Sequence, residues 1–435
     1  MTRQTPSAAL PTIICIDIEP DERAPDPERQ PEWGGFEALA HQIRTLRSDI
    51  ADATRSPAHF SWFLRMDPQV AALHRSAGWA ATHYRTLLTE FRAAGDEIGI
   101  HLHPWRWLPE TRSWSADFAD ANWGRHVVRT GLQAFRDSFG RPCHTVRFGD
   151  RWLSGAILRE ASSLGVRLDL TPEPGVKPEP PGESHHGLMP DYTPTPIWPF
   201  QPSKRNPAVP ARRGTRRGPW MIPMTTVEHG PALQRAVERL AVSPRAAGGP
   251  YTGWIDRVTT EWIGGWAYDS SAPDRALTVV VYDGKTPIGA VLAGEPRADL
   301  EAAGFGDGRH GFTLDFGSRL NPRPDHTMSA TILGTGEWLQ GGLVDLRCEP
   351  RLSQTHRTLD LGQAFVGPVL DDVLDDPHGR RHIALPMRSN SAGPTVSQAF
   401  RHLMTHQRAS SLRLSTPQEA IAALRVQLRG RAPSR

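Results

Sequence analysis

The sequence predicts an α/β fold built on parallel strands, with an all-β, sandwich-like module set inside it. Three observations carry this expectation. Apolar β-branched runs alternate with amphipathic helical segments over residues 12–225. Asp17, Asp67, His103 and Arg147 all fall at the ends of expected strands, where α/β folds gather their chemistry. From residue 252 to residue 346 the pattern changes to short alternating strands with frequent turns, and α/β patterning then returns. The expected division is 11–250 for the first α/β part, 251–350 for the β module and 351–428 for the second α/β part.

Taken in order, Thr12-Ile13-Ile14-Cys15-Ile16-Asp17-Ile18-Glu19 reads as a buried central strand. Asp17, Glu19 and Asp21 close it with three carboxylates at alternate positions. Buried acids need water or a cation. Residues 36–50 place Phe36, Leu39, Ala40, Ile43, Leu46 and Ile50 on one helical face. Residues 57–67 form a second strand. Asp67-Pro68 then reads as an N-cap with proline at the first helical position, or as a contact for substrate. A helix through Tyr84, Leu87, Leu88 and Phe91 leads into Gly95-Asp96-Glu97-Ile98-Gly99-Ile100-His101-Leu102-His103-Pro104-Trp105. Residues two apart on a strand share a face, so His101 and His103 look into one space. Neutral imidazole is a common metal ligand. A polar pair is also ordinary in a chain with 18 histidines.

Trp105, Trp107, Trp114 and Trp123 follow in what reads as a loop. They suit either sugar stacking or packing. A helix with Val127, Val128, Leu132, Phe135 and Phe139 on one face stops at Gly140. Residues 143–148 form a strand that runs into Arg147-Phe148-Gly149-Asp150-Arg151-Trp152. Ser154 caps a helix to Leu164, and Asp150 is either a helix cap or a substrate contact. Residues 172–219 are proline-rich and carry Lys204-Arg205, Arg212-Arg213 and Arg216-Arg217, which suit a solvated loop, partial disorder or an acidic glycan. Within the β module, Asp283-Gly284 marks a hairpin and residues 297–303 a short helix. Beyond it, residues 381–387 form a strand, and helices span 366–374 and 396–405. Thr416-Pro417-Gln418-Glu419 is a capping box opening the last helix.

Composition excludes several classes. A net charge of +3 on 435 residues gives no bulk attraction for nucleic acid. Three scattered cysteines without CxxC spacing argue against a thiolate metal site and fit a reducing compartment. The first eleven residues have no apolar core, and no run of about 18 apolar residues occurs. A cytoplasmic location without signal peptide or membrane span is therefore expected.

Three motifs in series resemble the polysaccharide deacetylase family, the NodB-homology domain. They are Ile16-Asp17-Ile18-Glu19, Ile100-His101-Leu102-His103-Pro104-Trp105 and Arg147-Phe148-Gly149-Asp150-Arg151-Trp152. The resemblance covers about 11–227 and 357–424 and implies an irregular (β/α) barrel with a divalent metal, often zinc. It implies Asp17 as base, Glu19, His101 and His103 as metal ligands, and Arg147 as the residue orienting Asp17. Arg147 also suits a purely structural ion pair. Asp67, Trp105, Asp150 and Trp152 are the expected substrate contacts. Two departures stand out. The family's second histidine usually comes two positions later than His103, and its late-strand histidine, the general acid, is missing. Arg388 is the nearest residue in Ile383-Ala384-Leu385-Pro386-Met387-Arg388-Ser389-Asn390 and is expected to help stabilise an oxyanion. His103 is an alternative acid.

The resemblance implies removal of an acetyl group from an N-acetylated sugar or polysaccharide. A noncatalytic glycan-binding or assembly protein on the same fold is the rival, and hydrolysis of another C–N bond is a third reading. The β module, around Arg297-Ala298-Asp299-Leu300 and Gly306-Asp307-Gly308-Arg309-His310-Gly311-Phe312, is similar to modules attached to bacterial surface-polysaccharide glycosyltransferases. A spacer role, or a glycan or protein partner, is expected for it.

Overall fold

A computed structural model describes residues 9–179, 181, 185–212, 218–228, 250–259, 262–315, 325–335, 337–342, 344–347, 356–359, 368–375, 381–389 and 394–430. The expected basic pair Arg216-Arg217, with Arg213, lies outside these residues, as does Cys348.

The first half alternates as the sequence predicts. Strand β1 (Leu10–Ile18) is followed by helix α1 (Gly34–Thr54), whose Phe36, Leu39, Ala40, Ile43 and Ile50 are buried. Strand β2 (Ser61–Arg65) and helix α2 (Pro68–His74) come next, with Asp67 accepting from the amides of Gln69 and Val70 as the N-cap. Helices α3 (Trp79–His83) and α4 (Arg85–Ala93) lead to β3 (Glu97–Leu102). The tryptophan stretch is a hairpin rather than a loop. Trp105–Leu108 (β4) pairs antiparallel with Ser113–Asp117 (β5), and Trp114 opposes Trp107. The aromatic side chains suit a pleated, half-buried surface. Helix α5 (Ala121–Phe139) ends at Gly140, whose φ of 66° is a left-handed conformation glycine adopts without penalty. Strand β6 (Thr145–Phe148), helix α6 (Gly155–Ser163), capped by Ser154, and β7 (Leu168–Asp169) complete this run.

The proline-rich stretch packs Val176, Tyr192, Phe200 and Ala208 into the main core, and His185–His186 (β8) pairs with β5. Trp220–Met221 (β9) joins β7, and Thr226–Glu228 (β10) follows. Next come Tyr251–Val258 (β11), Trp262–Asp269 (β12), Leu277–Asp283 (β13), Thr286–Ala293 (β14), the short helix Ala298–Ala302 (α7), Gly311–Asp315 (β15), Asp325–Ile332 (β16) and Val344–Arg347 (β17). They form two antiparallel sheets, β11-β12-β15 and β14-β13-β16-β17. Asp283 and Gly284 make the expected turn, with Gly284 at φ 61°. Between them Ile255, Val279, Phe312, Met328 and Leu339 form an apolar cluster separate from the main core.

The chain then returns to the first body. His356–Thr358 (β18) pairs with β10, followed by Pro368–Leu374 (α8), Ile383–Arg388 (β19), Pro394–Thr405 (α9), Leu412–Leu414 (β20) and Pro417–Gly430 (α10). The capping box is formed, with the Thr416 amide donating to Glu419 and the Glu419 amide to Thr416. The main sheet is parallel in the order β19-β1-β2-β3-β6-β7-β9, with β20 against the start of β1. Residues more than 350 positions apart thus lie side by side, Asp17 opposite Arg388. The neighbouring carboxyl ends of β19, β1, β3 and β6 position the site. Among the described residues, no helix is long and apolar enough to cross a membrane.

Candidate metal centre

The end of β1 brings Asp17 and Glu19 beside the end of β3, where His101 and His103 share one face. Donor atoms of Glu19, His101 and His103 all lie within 4.8 Å of one another. The two Nε2 atoms are 2.9 Å apart, and His103 Nε2 is 3.7 Å from Glu19 Oε2. The opposite ring nitrogen fixes the His101 tautomer, and the Asp150 carboxylate favours Nδ1–H on His103, although the Trp105 indole N–H also points to that nitrogen at 2.8 Å. His101 Nδ1 donates to the Arg147 carbonyl at 2.8 Å, and His103 Nδ1 donates to Asp150 Oδ2 at 2.7 Å. Both Nε2 atoms then present lone pairs to the same point, an arrangement that repels itself unless a cation or proton lies between them. Orientation of a ligand imidazole by a carbonyl or carboxylate is the usual support of a metal site. Burial keeps the His101 imidazole well below its ordinary pKa, helped by the nearby His103, Arg147 and Arg65. It is therefore neutral, as a ligand must be. Two imidazoles and a carboxylate fit a zinc-type divalent ion.

A polar frame holds these ligands. Arg65, fully inside, donates to Asp67 at 2.7 Å and reaches Glu19 Oε2 at 3.3 Å. Asp67 is completely buried and also accepts the backbone amide of His103 at 3.0 Å. Its oxygens serve α2, Arg65 and the histidine strand, so it stands under the site, away from any opening. Asp150 sits in a tight turn at φ 52°. It takes the His103 proton, the Trp105 indole N–H at 2.9 Å and the guanidinium of Arg23. Trp105 is buried, and Arg23 lies over its ring at 5.3 Å. Trp152 is buried edge-on against Phe148 and belongs to the core. Gly149 packs flat against the His103 ring, where a Cβ would come within 2.1 Å of Nε2.

Asp17 Oδ2 accepts from Arg147 at 2.5 Å, while Oδ1 has no hydrogen bond among the described residues and lies 3.6 Å from His101. Burial pushes the Asp17 carboxyl up to about 7, against the pull of Arg147. Glu19 behaves oppositely. Burial raises it, but Arg388, His103, Arg65 and Arg23 together hold it below the usual range. Arg388 leaves the end of β19 with its Nε 3.7 Å from Glu19 Oε1. The next residue, Ser389, clasps the Glu19 backbone, accepting from its N–H and donating to its carbonyl at 3.1 Å each. No imidazole stands at this strand end among the described residues.

No family model and no curated protein matches this chain. Solved structures similar to it include an inferred polysaccharide deacetylase from Mycobacterium smegmatis, at 13% identity, TM-score 0.28, covering 51% of this chain and 63% of that one. Peptidoglycan deacetylase PdaC from Bacillus subtilis gives 12% identity, TM-score 0.22, and 36% and 57% coverage. IcaB from Ammonifex degensii gives 12% identity, TM-score 0.21, and 38% and 84% coverage. The chain thus spans less than two thirds of the first two.

Arg65, Arg23, Ser389 and Asp169 also belong to the surroundings, and sequence reading passed over them. Arg65 carried a signal, since it precedes Asp67 by two on the same strand face. Ser389 sits in the late strand already singled out. Arg23 had none, being in an irregular loop 127 residues from its partner Asp150. Asp169 ends β7 as the other acids end their strands. Its Oδ1 accepts the Thr171 amide at 2.8 Å, and its Oδ2 is buried without a hydrogen bond among the described residues.

Proposed function

We propose that the chain is a metal-dependent hydrolase that removes an N-acetyl group from a sugar or glycan. The observation that carries this reading is the convergence of Glu19, His101 and His103 beside an acid, Asp17, gripped by an arginine. A divalent ion held by Glu19, His101 and His103 would supply polarisation of the acetyl carbonyl and acidification of water. Asp17 takes the proton of the attacking water at Oδ1, the oxygen left open by Arg147. Arg147 fixes the carboxylate's direction and favours its ionised form. Asp150 and the Arg147 carbonyl keep both imidazoles turned ligand-side inward. In this reading Asp67, Asp150 and Trp105 position the ligands, in place of the substrate contacts expected of them.

We further read residues 251–350 as a β-sandwich-like module inserted into one deacetylase-type barrel. The rival reading, a noncatalytic glycan-binding or assembly protein, is favoured by one observation: β19 ends in Arg388 and Ser389 where a proton donor for the leaving amine is expected. The deciding experiment measures acetate release from an N-acetylglucosamine oligomer by zinc-loaded wild-type and Asp17→Asn proteins. Activity in the wild type, lowered about 10²–10⁴-fold in the variant with zinc content unchanged, supports the hydrolase. No acetate from zinc-loaded wild-type protein, with this oligomer or a charged N-acetylated one, favours the rival.

A further inference from the structure

The mouth of the centre carries two guanidiniums that the hydrolysis above does not use. Within the cluster, three acids each have a cation of their own: Asp17 has Arg147, Asp67 has Arg65 and Asp150 has Arg23. Glu19 has the inner Arg65 at 3.3 Å and, on the outer side, Arg388 at 3.7 Å. That long contact is the only ion pair Arg388 makes among the described residues, and its side chain is 57% exposed. Arg23, whose side chain is 49% exposed, is held in place by the Trp105 ring and Asp150. Its backbone carbonyl is near Gln69 as well. Arg388 meets Glu19 and Arg23 meets Asp150, the two acids that flank the His103 ring.

Glu19 turns Oε1 to Arg388 and Oε2 to His103 and Arg65. With Glu19 committed to an ion, Arg388 is left half-exposed beside a second positive charge. Like charges at that separation repel, and an anion between them relieves the repulsion. The sequence suggested Arg388 as a stabiliser of the reaction's oxyanion. Such a group must be fixed and shielded from water. Among the described residues Arg388 has one long ion pair and a largely solvated side chain, which suits capture of a charged group arriving from solution. Guanidinium forks match carboxylates and phosphates in geometry. Arg23, already ordered by stacking, loses little freedom on binding.

Resting on the deacetylase reading, we propose that the substrate is anionic: an N-acetylated sugar bearing a carboxylate or phosphate group, which Arg388 and Arg23 bind at the mouth of the centre.

The test is calorimetric binding to the zinc-loaded full chain carrying Asp17→Asn, which prevents turnover. The probes are a tetrasaccharide alternating N-acetylglucosamine with glucuronate, its carboxyl-reduced form, N-acetylglucosamine 6-phosphate and N-acetylglucosamine. A charged probe is expected to bind at least about tenfold tighter than its neutral counterpart, as charge-assisted hydrogen bonds imply. Arg388→Gln added to that background is expected to erase most of the difference with zinc content unchanged, and raised salt to shrink it. Which pair shows the larger ratio separates carboxylate from phosphate. Equal affinity for charged and neutral probes, or a ratio untouched by Arg388→Gln, overturns the proposal. Acetate release by the wild type is followed in parallel. Release from the neutral oligomer with equal affinities sinks the anionic substrate alone. Charge-selective binding without acetate from any probe sinks the deacetylase reading and leaves an anion-binding mouth.

Discussion

Gly149 and Asp169 show how single positions control the centre. Gly149 is in the third motif because the His103 ring occupies the space a side chain would need. Gly149→Ala is therefore expected to displace His103 and weaken zinc affinity about 10–100-fold, as loss of ligand support does. A zinc titration with a competing chelator measures this, and an unchanged affinity contradicts the contact. Asp169 lies buried near Arg147 and Tyr192, and burial pushes its carboxyl up to about 7. Its folded pKa thus exceeds the unfolded value of about 3.9. The folded state holds the proton more tightly, so this contribution to stability is complete below about pH 4 and is lost as pH rises through about 7. Asp17 acts with the same sign. Asp169→Asn should flatten the dependence, making metal-stripped protein more stable than wild type at pH 8 by on the order of a few kcal/mol and little different at pH 4. Melting curves across that range check it, and parallel wild-type and variant profiles would count against the buried acid. The sequence made Asp17, His101 and Arg147 legible because each ends an apolar strand, where a charged or imidazole side chain has few structural excuses. It did not reveal the duties of Asp150 and Trp105, which are set by one another's side chains and not by spacing.

Among the elements, β1, α1, β3, α5 and α10 were legible from apolar periodicity and cap chemistry. The tryptophan hairpin was not, because its strands are short and hold too few residues to show a period. Nor does any local pattern announce that β19 lies against β1; that pairing depends on long-range packing. The link between α2 and β3 is the most consequential of these tertiary contacts. Asp67 caps α2, neutralises the buried Arg65 and accepts the His103 amide. Asp67→Ala leaves Arg65 inside with a weaker claim on Glu19, and loss of one partner of a buried ion pair costs about 3–5 kcal/mol. Chemical denaturation is expected to show that loss, together with reduced zinc binding. A change under about 1 kcal/mol, the size of a cap alone, would mean the Arg65 pairing adds nothing.

For the whole molecule, the sequence-level expectation is an α/β body broken by a β module, and Ile255, Val279, Phe312 and Leu339 share an apolar cluster apart from the two clusters of the other described residues. If residues 251–350 are an inserted unit, calorimetry of the full chain should resolve two unfolding transitions, and zinc should raise only the one belonging to the α/β body. One cooperative transition shifted as a whole by zinc would contradict that division. We propose that a metal held by Glu19, His101 and His103 makes this chain a deacetylase. The most direct test is the rate of acetate release from an N-acetylated oligosaccharide as zinc is added back to metal-stripped protein. The expected result is a rate that climbs in proportion to zinc up to one equivalent per chain and then levels off. A rate that stays at zero with one zinc bound, or one that does not depend on zinc, would contradict the claim.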